Sequence, residues 1–352
     1  MSRKTITDVA REAGVAIKTV SRVLNDEPRV RPATRERVLA AAKALNYHPS
    51  ISARGLAGRR SCLIGLVYEN PSPNYVMDVQ NGAMARCREE RFQLITHHCN
   101  VRGADLAGDI GALVDQTHVD GLVLTPPLSS SKELIQALDA RGLPFVRIAP
   151  NRMKHASPFV DVDDLAAAQE MTEYLIGLGH RRIGFIVGHP AHYASGRRLE
   201  GYKAALKRHG IEYRDEYVKQ GFFVLDSGLE RGAELLAMKE RPTAIFASND
   251  DMAAGVLLAA HRKGLNIPGD LSVAGFDDAQ VARFVWPRLT TVFQPAYELA
   301  YTATHMLLQL LKQPKGSGAE AVKSKQFGYR LVCRDSTGPF RPRAASFPAA
   351  AG

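Results

Sequence analysis

Between Ser61 and about residue 337 the chain repeats one pattern: a short apolar run, a turn, then a stretch with helical spacing. "CLIGLVYE", "FQLITHHC", "DGLVLTPP" and "LPFVRIAP" form a first series, and "RRIGFIVGH", "YVKQGFFV", "PTAIFASND" and "LSVAGFDD" a second. Such runs suit strands buried on both faces of a parallel sheet, because crossover helices cover both faces. A chain of 352 residues can build two substantial cores. Two doubly wound sheets therefore fit the runs better than one long sheet. "LTTVFQ", a helix near Ala296–Leu311 and a last strand around "FGYRLVCR" complete the body. The tail "GPFRPRAASFPAAAG" (338–352) lacks periodicity and reads as disordered.

The first sixty residues are built differently. They hold thirteen Lys or Arg against five Asp or Glu, a net +8 out of +10 for the whole chain. A basic head on a near-neutral body points to a polyanionic partner for the head. Thr5 can cap a helix, with Asp8 placed for a capping box, and Ile6, Val9, Ala10 and Ala13 share one face. Gly14 ends that helix. A second runs from about Ile17 to Leu24, with Val20, Val23 and Leu24 inward. A third begins at Pro32 and buries Val38, Leu39, Ala42 and Leu45. Helix, glycine turn, helix is the geometry that sets a second helix in a DNA major groove. The bland alternative is a three-helix docking module. Against it, Lys18, Thr19, Ser21 and Arg22 form an outward phosphate- and base-contacting set.

"ITDVAREAGVAIKTVSRVLN", with "TRERVLAAAKALNYHPS" and "ARGLAG", resembles the headpiece of the lactose-repressor (LacI/GalR) family of bacterial transcription regulators, and the resemblance extends over essentially the whole chain. It implies a homodimer on a palindromic double-stranded operator. Ile17, Lys18 and Arg22 would reach bases, while Thr5, Thr19, Ser21 and Asn25 would hold phosphates. Ala16 departs from the usual Ser or Thr cap, a loss of about 1 kcal/mol. Arg29 and Arg31 replace commoner polar residues and add backbone contacts. Residues 1–47 would be the headpiece and 48–60 a hinge helix, with Ser50 as cap, Leu56 wedged into a minor-groove step and Ala53 beside it. Gly55 and the short length weaken that helix in isolation, so a flexible basic linker is the alternative. The body, 61–337, would cross between its halves near 161, 292 and 323. That gives an N-part of about 61–161 and 292–322, and a C-part of about 162–291 and 323–337.

Ligands bind such sheets at the carboxyl ends of strands. Polar clusters follow the runs there: "ENPSPNY", "HPAHYASGRR", "SND" and "FDD". Each alone can be a helix cap, as Ser248, Asn249 and Asp250 illustrate. "ASND", "AGFDD" and "RRLEGY" resemble the family's effector signatures, which implies that Asn249, Asp277 and Arg198 grip an effector between the apolar walls of Tyr75 and Phe223. Gln294, beside a crossover, is a sixth candidate. Planar polar groups with aromatic faces suit a sugar, a glucoside or related oligosaccharide. His192 and Ala194 stand where purine-responsive members have arginine and threonine, which disfavours a purine.

No dinucleotide fingerprint, Walker loop or nucleophile elbow occurs, so neither an enzyme nor a cofactor is expected. "HHC" (97–99) lies on a strand whose adjacent side chains diverge, and reads as core or surface histidine instead of a metal site. Four scattered cysteines read as reduced cytoplasmic thiols. There is neither a signal pattern nor an 18-residue apolar span. A periplasmic-type solute-binding protein shares the body's architecture, but the basic head decides against it. A regulator whose body answers a protein partner remains open.

Overall fold

The computed structural model describes residues 4–24, 27–47, 61–100, 105–151, 155–313 and 322–341. The chain divides into two compact units, Met1–Cys62 and Leu63–Gly352, each described by itself.

The first unit contains α1 (Ile6–Ala13), α2 (Ile17–Leu24) and α3 (Pro32–Ala44). Thr5 and Asp8 form the capping box: Thr5 N donates to Asp8 Oδ2 at 2.9 Å, and Asp8 N donates to Thr5 Oγ1 at 3.4 Å. Gly14 turns the chain at φ 62°, which a side chain would resist. Val9, Ala10, Ala13, Val20, Val23, Val38, Ala41 and Ala42 make the core. Leu39, expected inside, is 49% exposed. The inward stripe of α3 is 38, 41, 42 and 45, and Leu39 lies a third of a turn off it. The hinge segment 48–60, with Ser50, Ala53 and Leu56, and also Asn25, lie outside the described residues.

The second unit contains two six-stranded sheets. The first is built from β1 (Leu63–Tyr68), β2 (Gln93–His98), β3 (Gly121–Leu124), β4 (Phe145–Ile148), β5 (Phe159–Val162) and β11 (Lys325–Phe327), in the order β11-β5-β4-β3-β1-β2. The second is built from β6 (Ile183–Val187), β7 (Val218–Gln220), β8 (Ala244–Ala247), β9 (Ser272–Asp277), β10 (Thr290–Phe293) and β12 (Arg330–Val332), in the order β12-β10-β9-β8-β6-β7. All pairings are parallel except the edge strand β12, antiparallel to β10. The helices α4 (Pro73–Glu89), α5 (Leu106–Thr117), α6 (Lys132–Ala140), α7 (Asp164–Gly177), α8 (Tyr193–Arg208), α9 (Leu225–Ala237), α10 (Asp250–Arg262), α11 (Gln280–Phe284) and α12 (Ala296–Lys312) connect them. On the first sheet Leu66, Val123, Val146 and Ile148 pack against α4 and α12, while Val67, Leu122, Leu124 and Phe145 fill the opposite face. The runs are apolar throughout because both faces are covered.

Three expectations change. β5 and β11 are strands that the apolar pattern does not mark. The chain crosses after β5, after β10, and between β11 and β12, so the last crossing is at Gly328–Tyr329 and not near 323: Lys325–Phe327 still pairs with β5. The N-part therefore takes up again after Phe293 and runs to Phe327. The tail does not loosen at 338 either. His180 Nε2 lies 3.1 Å from Gly338 O, and Phe340 N donates to Leu178 O at 2.8 Å, so these residues seal the end of the second sheet. Residues 342–352 lie outside the described residues.

α9 and α10 approach through two glycines. A Cβ on Gly228 would sit 2.1 Å from Met252 O, and one on Gly255 2.2 Å from Leu225 O. Gly228→Ala should therefore lower the stability of this unit by about 1–3 kcal/mol in thermal denaturation. Gly196→Ala, in α8 with nothing within 4 Å, should raise it by about 0.5–1 kcal/mol.

Candidate nucleic-acid interface and ligand cleft

On α2 the inward residues Val20 and Val23 leave positions 17, 18, 21 and 22 on one outer face. Ile17 is 47% exposed, Lys18 is exposed beside it, and Thr19 and Ser21 are half-buried at the margins. Ala16 stands before the helix, its carbonyl accepting from Thr19 N at 2.8 Å, with no side chain to cap the amide end. Arg22, Arg29, Arg31 and Arg37 line a concavity of about 380 Å³ beside that end, together with Ala16 and Thr19. Arg22 is held 3.5 Å from Glu27, but both side chains are about half exposed. A pair so exposed contributes little and exchanges readily for a phosphate. Thr5 is exposed, its hydroxyl donating to Asp8 Oδ2 at 2.9 Å. A positive rim around a helix amino end is a site for phosphate oxygens.

In the second unit all six candidates line one cavity. Tyr75, Arg198, Phe223, Asn249, Asp277 and Gln294 share it with Asn70, Ser72, Pro126, Ala149, Asp164, His192 and Ala194. Arg198, on α8, is 4% exposed. Its Nε donates to Asp164 Oδ1 at 2.8 Å, its Nη1 donates to the Ser248 carbonyl, and its guanidinium carbon lies 3.5 Å from the centre of the Phe276 ring. Asp277 is 3.9 Å from that guanidinium and accepts from Gln294 Nε2 at 2.5 Å. It caps nothing: Ala279 precedes α11, which has no side-chain cap. Asp278 is no substitute, since Arg283 and Arg334 occupy its carboxylate. Asn249 is a cap. Its Oδ1 accepts from Met252 N at 3.0 Å, and its Nδ2 donates to Phe223 O at 3.0 Å, fixing the Phe223 wall.

Eight non-glycine residues among those described have positive φ, and three of them line this cavity: Ala149 (43°), Phe223 (63°) and Asp277 (114°). Strained backbone persists where the surroundings over-determine it, and it gathers at ligand sites. Burial pushes the Asp277 carboxyl up to about 7, although Arg198 and Gln294 pull it down. Burial also raises the Tyr75 phenol, which stays a hydroxyl donor. His192 is drawn down to about 3, by burial first and then by His189 and Arg198, so it is a neutral imidazole.

The free space among these side chains is about 40 Å³, room for about three waters. Across the mouth, Ser72 Oγ donates to Asp251 Oδ2 at 2.6 Å and Asn74 Nδ2 to Asp251 Oδ1 at 3.1 Å. These bonds join the first sheet's half to the second's, so the cleft is shut. Beyond Asp164 and Ala149, which belong to both spaces, a chamber of about 470 Å³ opens.

Residues 5–50 match the bacterial regulatory proteins of the lacI family, and residues 172–337 a periplasmic binding protein-like domain. Catabolite control protein A of Priestia megaterium is 33% identical over 338 residues, 95% of this chain and 99% of that protein. The chain belongs to the lacI family. Among solved structures, the lac repressor dimer bound to operator and an anti-inducer has TM-score 0.81 at 28% identity, covering 96% of this chain and all of that one. A CelR–cellobiose complex has TM-score 0.71 at 31% identity, covering 95% and 100%. As a lacI-family protein, the chain is a DNA-binding transcriptional regulator with an effector-binding body. No helix among the described residues is long and apolar enough to cross a membrane.

Sequence reasoning missed Asp164 and Ser72, and it weighed His192 only against purines. Asp164 follows β5, the unmarked strand, and "VDVDD" was its signal. His97 and Cys99 do meet, although neighbours on the strand diverge as expected. They are two apart, hence on one face, and with Asp109 their ligand atoms fall within 4.8 Å. His97 Nε2 lies 3.1 Å from Asp109 Oδ2. Burial pushes the Cys99 thiol up to about 12.

Two outcomes follow from this geometry. A carboxyl near 7 in the fold and 3.8 when unfolded keeps its proton where the unfolded chain has lost it. The stability Asp277 contributes therefore falls as pH rises from about 4 to about 7, then levels. Asp277→Asn should gain roughly 1–4 kcal/mol over wild type on going from pH 5 to pH 8, read by denaturant unfolding at both. On α2, Lys18→Gln should change the half-site recovered from random duplexes, since a base-edge contact discriminates by about 1–3 kcal/mol. An unchanged consensus would remove Lys18 from base reading.

Proposed function

We propose that this regulator represses carbohydrate-utilisation genes in the cytoplasm, binding a palindromic operator as a homodimer and releasing or tightening on it when a sugar enters the cleft. The observation that carries this reading is the convergence of Asp277, Asn249, Arg198 and Gln294 with Tyr75 and Phe223 on one cavity at strand carboxyl ends. Carboxylate, amide and guanidinium pair with vicinal hydroxyls, and an aromatic face covers C–H groups. A relative solved with cellobiose supports the ligand class. On the DNA side, Ile17, Lys18 and Arg22 read bases, and Thr5, Thr19, Ser21, Arg29 and Arg31 hold phosphates. Asn25, Ser50, Ala53 and Leu56 complete that set by resemblance.

A second copy accounts for the apolar surface. Phe284 is 80% and Trp286 75% exposed, with Leu258 and Phe222 also outward. A second copy packed over Phe284 and Trp286 would cover them. The lac repressor relative is a dimer on its operator.

Since about 40 Å³ cannot hold a sugar, the ligand enters a more open conformer, and the effect on DNA equals its preference between conformers. Asp277→Ala should bind the selected operator like wild type and ignore the sugar, with effector affinity lowered by about 3–6 kcal/mol for two lost charge-assisted bonds. Operator titrations with and without a panel of mono- and disaccharides measure this. A mutant that still responds sinks the role of Asp277.

A further inference from the structure

We propose that the sugar carries an anionic group, a carboxylate or a phosphate, which lodges in the chamber beside the cleft against Arg147. This rests on the sugar reading above and narrows it to acidic sugars.

Arg147 interrupts the apolar run of β4 and is 1% exposed, the largest fully buried side chain described. Nε donates to Ser157 Oγ at 2.9 Å and Nη2 to Ser157 O at 3.5 Å. Its Nη1 is buried with no hydrogen-bond partner. No described carboxylate lies within ion-pair distance of the guanidinium, and burial alone pulls its proton affinity down. A buried guanidinium without a counter-charge is costly, and native chains retain one where something pairs with it.

What pairs with it must come through the chamber, because Arg147 forms part of that wall. The chamber's volume of about 470 Å³ falls in the range of small-ligand sites. It begins at Asp164, the partner of Arg198, so a ligand held at Arg198 and Asp277 reaches it directly. Of the aspartates there, Asp163 caps α7 through Ala166 N at 3.1 Å and Asp164 binds Arg198, while Asp161 has a partner elsewhere but keeps its buried Oδ1 without a hydrogen bond. Arg197, from the second sheet's half and paired with Glu200 on one side, and Lys325, from β11, also line the chamber. An anion held in this chamber is attracted from both halves, by Arg147 and by Arg197. The charged substituent would thus favour closure as well as affinity.

Full-length protein is titrated calorimetrically with matched pairs: glucose and glucuronate, galactose and galacturonate, cellobiose and cellobionate, glucose and glucose 6-phosphate. The acid of at least one pair should bind about tenfold or more tightly than its neutral parent, as one charge-assisted contact allows. Whether uronate, aldonate or phosphate wins identifies the anion. Arg147→Gln should abolish that preference and leave the neutral parent's affinity within about twofold. Arg197→Gln, at a half-exposed position, should reduce the preference where folding of the first variant is compromised. Neutral parents binding as well as acids in wild type, or a preference that survives Arg147→Gln, would overturn the anionic subsite while leaving the sugar cleft standing. Protein that binds no sugar, neutral or acidic, overturns the sugar reading and this inference with it.

Discussion

Everything in the cleft is arranged around one buried cation. Arg198 is held from three sides: the Asp164 carboxylate, the Ser248 carbonyl and the Phe276 ring. Each comes from a different stretch of chain: the start of α7, the end of β8 and the end of β9. A buried charge demands paired and oriented partners, so the guanidinium dictates where three loops stop. Asp250 performs the same service beneath. Fully buried, it accepts from Thr291 Oγ1 at 2.6 Å and from Ala279 N at 2.8 Å, locking the β9 loop that presents Asp277. Burial, then the neighbouring Asp277, pushes the Asp250 carboxyl well above the usual range. Two acids that near cannot both ionise cheaply, and at Asp277 the acidic neighbours that add to the rise are Asp251 and Asp164.

The shut cleft is held by modest forces. Ser72 and Asn74 reach Asp251 across the mouth, and each such bond is worth about 1 kcal/mol, more where the acceptor is charged. Burial, followed by those two bonds pulling the other way, leaves the Asp251 carboxyl raised, so even this clasp spends part of its energy on desolvation. A closure of this strength is within reach of a ligand's preference between conformers. It also explains how a small molecule can control a large assembly. The ligand does not have to break a core, only to outbid two or three hydrogen bonds.

The legibility of the chain follows from burial. Strands buried on both faces, such as Leu63–Tyr68 and Ala244–Ala247, advertise themselves as unbroken apolar runs. Phe159–Val162 alternates buried and half-buried residues over only four positions, and Lys325–Phe327 is a three-residue edge strand with two exposed residues. Neither carries enough apolar signal, and losing them displaced the last crossover and hid Asp164. The cleft residues Asn249 and Asp277 were readable because a strand that ends at a ligand must end in polar groups. Ser72 and His192 were not, because their roles depend on partners more than a hundred residues away or on which way a ring faces. Leu39 was misplaced by counting apolar residues without following the helical angle. Arg147 was passed over inside "FVRI", although a charge within an otherwise buried run is itself a signal that the burial serves something other than packing.

The closed cleft is therefore an incomplete object. It holds a carboxyl that burial keeps protonated near neutrality and, in the adjoining chamber, a guanidinium with no counter-charge. Protein groups could have satisfied both: a serine beside Asp277, an acid beside Arg147. Filling them internally would stabilise the closed state whether or not a ligand were present, and an equilibrium already settled has little left for a ligand to shift. Leaving a buried carboxyl desolvated and a buried cation unpaired transfers that stabilisation to whatever molecule brings hydroxyls and negative charge together. The cost falls on the free protein, and it is this cost that makes the conformers distinguishable to an effector.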